Sequence, residues 1–304
     1  MFATIDIGTN SVLLLIAEIG PGGEVRPVSD LMRVTRLGAG LSKNGVIADD
    51  AAERTLLALR EYRDLCAQRG VKGLAAVGTA ALRRAGNAAD FLLVAKKELG
   101  LDVEVISEER EAALTFRASA VEFGDGIVVC DIGGGSTEFI ATDKDGVPEF
   151  TSLPLGCVSL TEHFLHGNPE TNEEVYRLRR EVRESLEREL DPELYSRPHD
   201  RGFVATAGTA TTLMAMKMAL ERYDPERVHG ASMKIDDLRD LIDAIRPKKI
   251  EERRSMPGLP PERADVILAG AELLQETMSF LGYADAVVSD RGVRWGLFYE
   301  KFRP

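Results

Sequence analysis

Two mostly apolar runs open the chain, residues 2–7 with Asp6 inside and residues 12–19 with Glu18 inside, separated by Gly8-Thr9-Asn10-Ser11. Runs of that length on either side of turn residues predict two strands joined as a hairpin. A third extended stretch is expected over 32–37. The pattern then changes period. Ala52, Leu56, Leu59, Tyr62 and Cys66 recur at spacings of four, three, three and four, which predicts a helix over 49–69 stopped by Gly70. Strands over 74–77 and 103–106 and helices over 88–99 and 108–120 follow. Residues 127–132 form a buried strand running into Gly133-Gly134-Gly135, with 136–141 as its partner. The second half is more helical. Thr171 and Glu174 read as a capping box ahead of Val175, Leu178, Val182, Leu186 and Leu190. A strand at 203–206 leads through Gly208-Thr209 into a helix reaching Leu220. Ala264, Ile267, Ala271, Leu274 and Met278 mark another buried helix face. A strand at 286–289 and a helix over 292–302 close the chain.

Composition narrows the class. The chain has 304 residues, 44% hydrophobic and 29% charged, a globular balance. At roughly 100–200 residues per domain it predicts two domains. The net charge of −12 argues against non-specific nucleic-acid binding, which needs clustered Lys and Arg, but leaves room for a small anion in a local site. Cys66, Cys130 and Cys157 are far apart, so neither a disulfide framework nor a thiolate metal site is expected. No apolar run approaches the length of a bilayer span, and no targeting signal is seen at the N-terminus. A cytoplasmic protein without membrane contact is the expectation.

The most informative feature is an echo. Asp6-Ile7-Gly8-Thr9-Asn10-Ser11 returns 125 residues later as Asp131-Ile132-Gly133-Gly134-Gly135-Ser136, with Asp, Ile, Gly and Ser matching. That interval is too long for a solenoid repeat and fits two domains on one plan. Glycine permits positive φ and close approach of a ligand to the main chain, and successive N–H groups can form an anion nest. An Asp at the strand end suits such a turn if a divalent cation sits between carboxylate and phosphate. Two such turns facing one another would grip a polyphosphate. The bland alternative for each is a tight hairpin.

Hydrolysis needs a group that orients or deprotonates water. Ile106-Ser107-Glu108-Glu109-Arg110-Glu111-Ala112 supplies three glutamates at a helix start, where the macrodipole also favours acidic residues. Glu108 and Glu111 share a face. Nothing internal separates Glu111 from its neighbours.

Together these stretches resemble the exopolyphosphatase / guanosine pentaphosphate phosphatase family, within the actin-like ATPase, sugar kinase and heat-shock ATPase superfamily. Further matching stretches are Arg36-Leu37-Gly38-Ala39-Gly40-Leu41, Gly78-Thr79-Ala80-Ala81-Leu82-Arg83, Leu155-Gly156-Cys157-Val158, Gly208-Thr209-Ala210-Thr211-Thr212-Leu213, Arg263-Ala264-Asp265-Val266-Ile267 and Ser289-Asp290-Arg291-Gly292-Val293-Arg294. The resemblance implies an α/β fold of two actin-like (ribonuclease H-like) domains, mixed sheets flanked by helices, with the active site in the cleft between them. The domains would be 1–121 and 122–291, with the helix at 292–304 packing back on the first. Glu111 would be the base towards water. Asp6, Asp131 and Glu138 would surround Mg²⁺ or Mn²⁺. Gly8, Thr9, Asn10 and Ser11, with Gly133, Gly134, Gly135, Ser136 and Thr137, would hold phosphates. Arg83 would neutralise the chain. Apart from the resemblance, Gly208 and Thr209 stand at a strand-to-helix junction, where a helix N-terminus can take a nucleotide or distal phosphate; packing geometry explains the pair nearly as well. The implied substrates are linear inorganic polyphosphate and guanosine pentaphosphate, and the family expectation is a homodimer. The chain departs from the family pattern at Glu108, usually Gly, and at Arg110, usually Glu. Arg291 and Val293 also differ. It ends at Pro304 without the helical extension of longer relatives, which points to shorter substrates.

Rival readings are a phosphotransferase of the same superfamily and a non-catalytic alarmone or polyphosphate sensor. Elsewhere, His163 and His166 are spaced to share a helix face as metal ligands, although no third ligand is evident. Lys248, Lys249, Arg253 and Arg254 read as a solvated helix face. Arg36 reads as a surface residue, and Trp295 and Phe298 as packing of the last helix.

Overall fold

The computed structural model describes residues 1–143, 145–195 and 201–303, apart from the side chain of Ser42. The chain divides into two compact units, Met1–Ala118 with the segment from Val293 onward, and Ser119–Gly292. In the first, β1 (Phe2–Ile7), β2 (Ser11–Ile19) and β3 (Val25–Val34) form an antiparallel meander. Helices α1 (Leu41–Asn44) and α2 (Asp49–Gln68) lead to β4 (Leu74–Gly78). After α3 (Ala80–Arg84) and α4 (Ala88–Leu99) comes β5 (Val103–Val105). The sheet order is β3-β2-β1-β4-β5, with β4 parallel to β1 and β5 parallel to β4. Helix α5 (Glu108–Phe123) runs out of this unit.

The second unit repeats the plan. A meander of β6 (Ile127–Ile132), β7 (Thr137–Thr142) and β8 (Pro148–Leu153) is followed by α6 (Cys157–Phe164), α7 (Asn172–Glu189) and α8 (Pro192–Tyr195). Then come β9 (Gly202–Thr206), α9 (Ala207–Lys217), α10 (Pro225–Val228), β10 (Ser232–Lys234) and α11 (Ile235–Ile245). Helices α12 (Ile250–Arg253) and α13 (Ile267–Leu281) precede β11 (Asp285–Val288), and α14 (Val293–Phe302) rejoins the first unit. The second sheet runs β10-β11-β9-β6-β7-β8, with β9 parallel to β6 and β11 parallel to β9. Both units thus carry a three-stranded meander continued by parallel strands, so the sequence echo is an echo of topology. The fold is α/β and actin-like, with two mixed sheets flanked by helices. Among the described residues no helix is long and apolar enough to cross a membrane.

Strand periodicity decides where polar groups go. Ala3, Ile5 and Ile7 of β1 join Val12, Leu14 and Ile16 of β2 in a core capped by Leu59, Tyr62 and Phe91. On the opposite face Leu15 and Ala17 pack against Trp295 and Phe298 of α14. Thr4 lies on that second face, where its hydroxyl donates to the carbonyl of Arg294 (2.7 Å). Asp6, two residues on, lies on the same face. The charge placed at the strand end is therefore driven under α14 and α5 by the alternation that buries its neighbours.

Several sequence expectations change. The third strand covers 25–34 rather than 32–37, and β8 was not anticipated. Both are edge strands with largely exposed side chains, so they carry little apolar signal; Pro27 sits where the β2–β3 register shifts, a position that tolerates a missing N–H. The buried face of α2 is centred on Ala51, Thr55, Ala58, Leu59, Tyr62 and Cys66, because small side chains approach the sheet more closely than Leu56. Arg253 is not on a solvated face. It is 0% exposed and bound through both terminal nitrogens to the buried carboxylate of Glu170. His166 lies beyond α6, so it shares no helix face with His163, whose ring Nδ1 contacts the Ser159 carbonyl (2.8 Å). The Thr171/Glu174 capping box is present, Glu174 accepting from the Thr171 amide at 2.7 Å and the Thr171 hydroxyl from the Glu174 amide at 3.2 Å.

Candidate active site

The two glycine turns are built alike. In one, the Gly8 amide donates to the Ser11 carbonyl (2.9 Å); in the other, the Gly133 amide donates to the Ser136 carbonyl (2.9 Å). A Cβ on Gly8 or on Gly133 would meet that carbonyl at 3.1 Å in both cases. None of Gly8, Gly133, Gly134 and Gly135 has positive φ. Gly8 and Gly133 are therefore tight sites where a side chain would crowd the serine carbonyl, and the left-handed backbone that was one of the two expected uses of these glycines is absent.

Each turn is clamped by its carbonyls. The Thr9 carbonyl accepts from Gly38 N–H (2.9 Å), and that of Asn10 from Thr35 (3.0 Å) and Arg36 (2.9 Å). In the second unit the first turn of α6 does the same work. Cys157 donates to the Gly133 carbonyl (3.0 Å), and Val158 (2.9 Å) and Ser159 (3.1 Å) donate to that of Gly134. A planar trans peptide carries C=O and N–H on opposite edges. With their carbonyls drawn inward, the peptides 9–10 and 10–11, and likewise 133–134 and 134–135, direct their N–H groups the other way. Successive amides presented by a turn are the elements from which an anion nest is made. The clamps need glycines of their own. A Cβ on Gly38 would lie 2.3 Å from Thr9 Cγ2, and one on Gly156 would lie 2.3 Å from the Gly134 carbonyl. A Cβ on Gly135 would meet nothing within 4 Å, so that glycine leaves open room over the turn.

In the first unit Asp6 and Glu111 form a carboxylate pair. Asp6 is buried, its Oδ1 has no hydrogen-bond partner, and its acid is raised from 3.8 to about 7. Burial is the largest cause, the Glu111 charge adds to it, and Arg294 opposes it. Burial also raises Glu111, against the pull of Arg83. Arg83 donates through Nη1 to the Ile106 carbonyl (2.9 Å) and to Glu111 Oε2 (3.1 Å), and through Nη2 to Glu108 Oε1 (3.1 Å). Glu109, by contrast, is held below the usual carboxylate range, first by its bond to Ser107. The structure thus separates the three glutamates where the sequence did not. Arg110 turns elsewhere, to Glu300 (2.6 Å).

In the second unit Asp131 and Glu138 are direct cross-strand partners, which places their side chains on one face. Glu138 accepts from the Ser152 hydroxyl (2.9 Å). Thr137, read as part of the phosphate turn, is instead the first residue of β7. It is fully buried, and its hydroxyl donates to the Leu155 carbonyl (2.6 Å). Gly208 stands at the start of α9, where a Cβ would lie 2.1 Å from the buried Arg263 guanidinium. Thr209 is 2% exposed, hydrogen-bonded to Cys157 and packed on Gly270. Its side chain belongs to the core.

Among the described residues no group of three or more His, Cys, Asp or Glu side chains forms a metal cage. What is present is two carboxylate pairs, Asp6 with Glu111 and Asp131 with Glu138. Either pair by itself is of the kind Mg²⁺ takes, since that ion usually binds one or two carboxylates and completes its shell with water and substrate phosphate; in the first unit the orphaned Asp6 oxygen is the donor that fits it best. Sequence reasoning missed the clamp at 35–38 and the amides of α6. A signal for the strand-to-helix junctions was available, since Gly78-Thr79-Ala80 at the end of β4 recurs as Gly208-Thr209-Ala210 just after β9.

Comparison with known proteins gives concordant matches. The Ppx/GppA phosphatase family matches over residues 15–303. The exopolyphosphatase 2 of Mycobacterium tuberculosis is 36% identical, over 97% of this chain and 96% of its own. The solved structure of the Aquifex aeolicus PPX-GPPA enzyme superposes with a TM-score of 0.83 at 36% identity, covering 99% of both chains. That of an exopolyphosphatase from Cytophaga hutchinsonii superposes with a TM-score of 0.85 at 26% identity, covering 98% of this chain and 96% of the other.

Proposed function

The chain belongs to the Ppx/GppA phosphatase family, and on that premise we propose that it is an exopolyphosphatase, releasing the terminal phosphate of linear inorganic polyphosphate as orthophosphate. The observation that carries this reading is buried Asp6 beside a glycine turn, facing the charge of the half-buried Glu111, with Arg83 bonded to Glu111. Glu111 orients the attacking water and accepts its proton. Its raised acid suits that task, because a base works best with a pKa near the operating pH. The amides of the turns at 8–11 and 133–136 hold phosphate oxygens, and Arg83 balances charge that spreads over them in the transition state. Asp6 in the first unit and the Asp131–Glu138 pair in the second are the carboxylates available to Mg²⁺ or Mn²⁺, and the bound ion would supply charge neutralisation of the leaving phosphate.

The test is orthophosphate release from tripolyphosphate, long-chain polyphosphate, guanosine pentaphosphate and ATP, each with Mg²⁺ and with chelator. Metal-dependent release from inorganic polyphosphate is expected. Glu111→Gln should retain substrate binding and lose about 10²–10⁴-fold in turnover. Transfer to ADP without free phosphate would instead mark a phosphotransferase, tight binding without turnover a sensor, and a fully active Glu111→Gln would remove Glu111 from the chemistry.

A further inference from the structure

We propose that Glu108 is a specificity-determining residue that competes with the substrate for Arg83 and thereby weakens the grip on short anionic chains. The proposal rests on the reading of Arg83 as a phosphate ligand. Arg83 is the penultimate residue of the short helix α3, and its guanidinium is already divided among three acceptors on the segment that opens α5. Nη1 serves the Ile106 carbonyl at 2.9 Å and Glu111 at 3.1 Å, while Nη2 is taken by Glu108 at 3.1 Å. The same Glu108 oxygen lies 3.7 Å from Arg84 Nη2. Of these acceptors only Glu108 is both charged and substantially exposed, with 38% of its side chain accessible against 22% for Glu111. It is the acceptor that can leave.

Charge makes the competition specific. A guanidinium has five N–H donors in a fixed planar fork and binds carboxylate and phosphate through the same edge. A phosphate approaching Nη2 must displace the Glu108 carboxylate or bind beside it and suffer like-charge repulsion. Arg83 and Arg84 meet Glu108 and Glu111 here, and Glu109 also feels the Arg83 charge, so with the acids ionised the cluster has no net positive charge to attract an anion. Removing the Glu108 charge shifts the cluster by one unit toward positive and releases Arg83 Nη2 from its carboxylate partner. The effect should be largest for short chains. A long polyanion has many other contacts with the protein over which the loss is shared, whereas tripolyphosphate has few.

The test compares Glu108→Gln and Glu108→Ser with the unaltered chain, using steady-state phosphate release and calorimetric binding of tripolyphosphate. Glu109→Gln removes an equal charge one residue away and serves as the control. Partly exposed ion pairs contribute modestly and charged hydrogen bonds more. The Glu108 variants should therefore lower KM for tripolyphosphate by about 3- to 10-fold, with a smaller change for long-chain polyphosphate and with kcat moving less than KM. The binding constant should shift in parallel, and KM should climb more steeply with salt. Unchanged KM and binding in both variants, with an active parent, would overturn the proposal and leave the exopolyphosphatase reading standing. An equal gain from Glu109→Gln would also overturn it, by assigning the effect to net charge. If neither the parent nor the variants bind or hydrolyse any oligophosphate, both readings fall together.

Discussion

Asp6 gives a quantitative handle on the site before any substrate is added. It is buried, one carboxylate oxygen lacks a partner, and the acid is raised from 3.8 to about 7. A group whose pKa is higher folded than unfolded stabilises the fold only while protonated. The penalty of its charged form is absent below about pH 4, grows through the interval up to pH 7, and is constant above. At about 1.4 kcal/mol per pH unit, the displacement from 3.8 to about 7 sets a ceiling of about 4 kcal/mol. Asp6→Asn removes the charge at nearly constant shape. In chelator, the variant should match the parent near pH 4.5 and exceed it at pH 8 by about 2–4 kcal/mol, or roughly 5–10 °C in melting temperature for a unit of this size. Saturating Mg²⁺ should shrink the gap by stabilising the parent alone. The assay is thermal melting from pH 4.5 to 8.5 with chelator or Mg²⁺. A gap that does not vary with pH, or an Asn variant less stable at pH 8, would refute the assignment of a strained buried charge to Asp6.

Other expectations follow from single contacts. Gly156→Ala puts a methyl 2.3 Å from the Gly134 carbonyl; it should cost about 1–3 kcal/mol as overpacking and raise KM for polyphosphate, read by denaturant titration and phosphate release. Thr137→Val removes the bond to the Leu155 carbonyl and leaves a buried acceptor unmet, so urea titration should show a loss of about 1–3 kcal/mol. Arg253→Ala strands the Glu170 carboxylate, a loss of about 3–5 kcal/mol, whereas Arg253→Met with Glu170→Leu should recover most of it, measured by the same titration.

Much of the architecture was legible from periodicity. Helix α2, the capping box before α7 and the strand–turn–strand pairs at both glycine turns are written in local pattern, because each buries a continuous apolar face. The edge strands β3 and β8 are not, since a strand paired on one side needs little apolar content. At the site, the echo of Asp6 through Ser11 located both turns, although the positive φ that was one of the two reasons expected for their glycines is absent. Close approach of Gly38 to Thr9 and of Gly156 to Gly134 joins residues far apart in sequence, and no local rule encodes it. The burial of Arg253 was hidden for the same reason, as its partner Glu170 lies outside its own helix. Glu111 stood out from Glu108 and Glu109 only through family resemblance; burial beside Asp6 supplies the physical distinction, and that depends on how α5 lies against the sheet.

The carbonyl clamps have a consequence for timing. Because the peptides of both bends are fixed by amides from distant segments, their alignment is settled while the polypeptide folds and costs nothing further at the encounter with an anion. Solvent around a flexible loop would have to reorganise as charge develops on the reacting phosphorus, whereas dipoles already locked in place do not. Loosening a clamp should therefore harm turnover even where every amide that touches the anion is chemically intact.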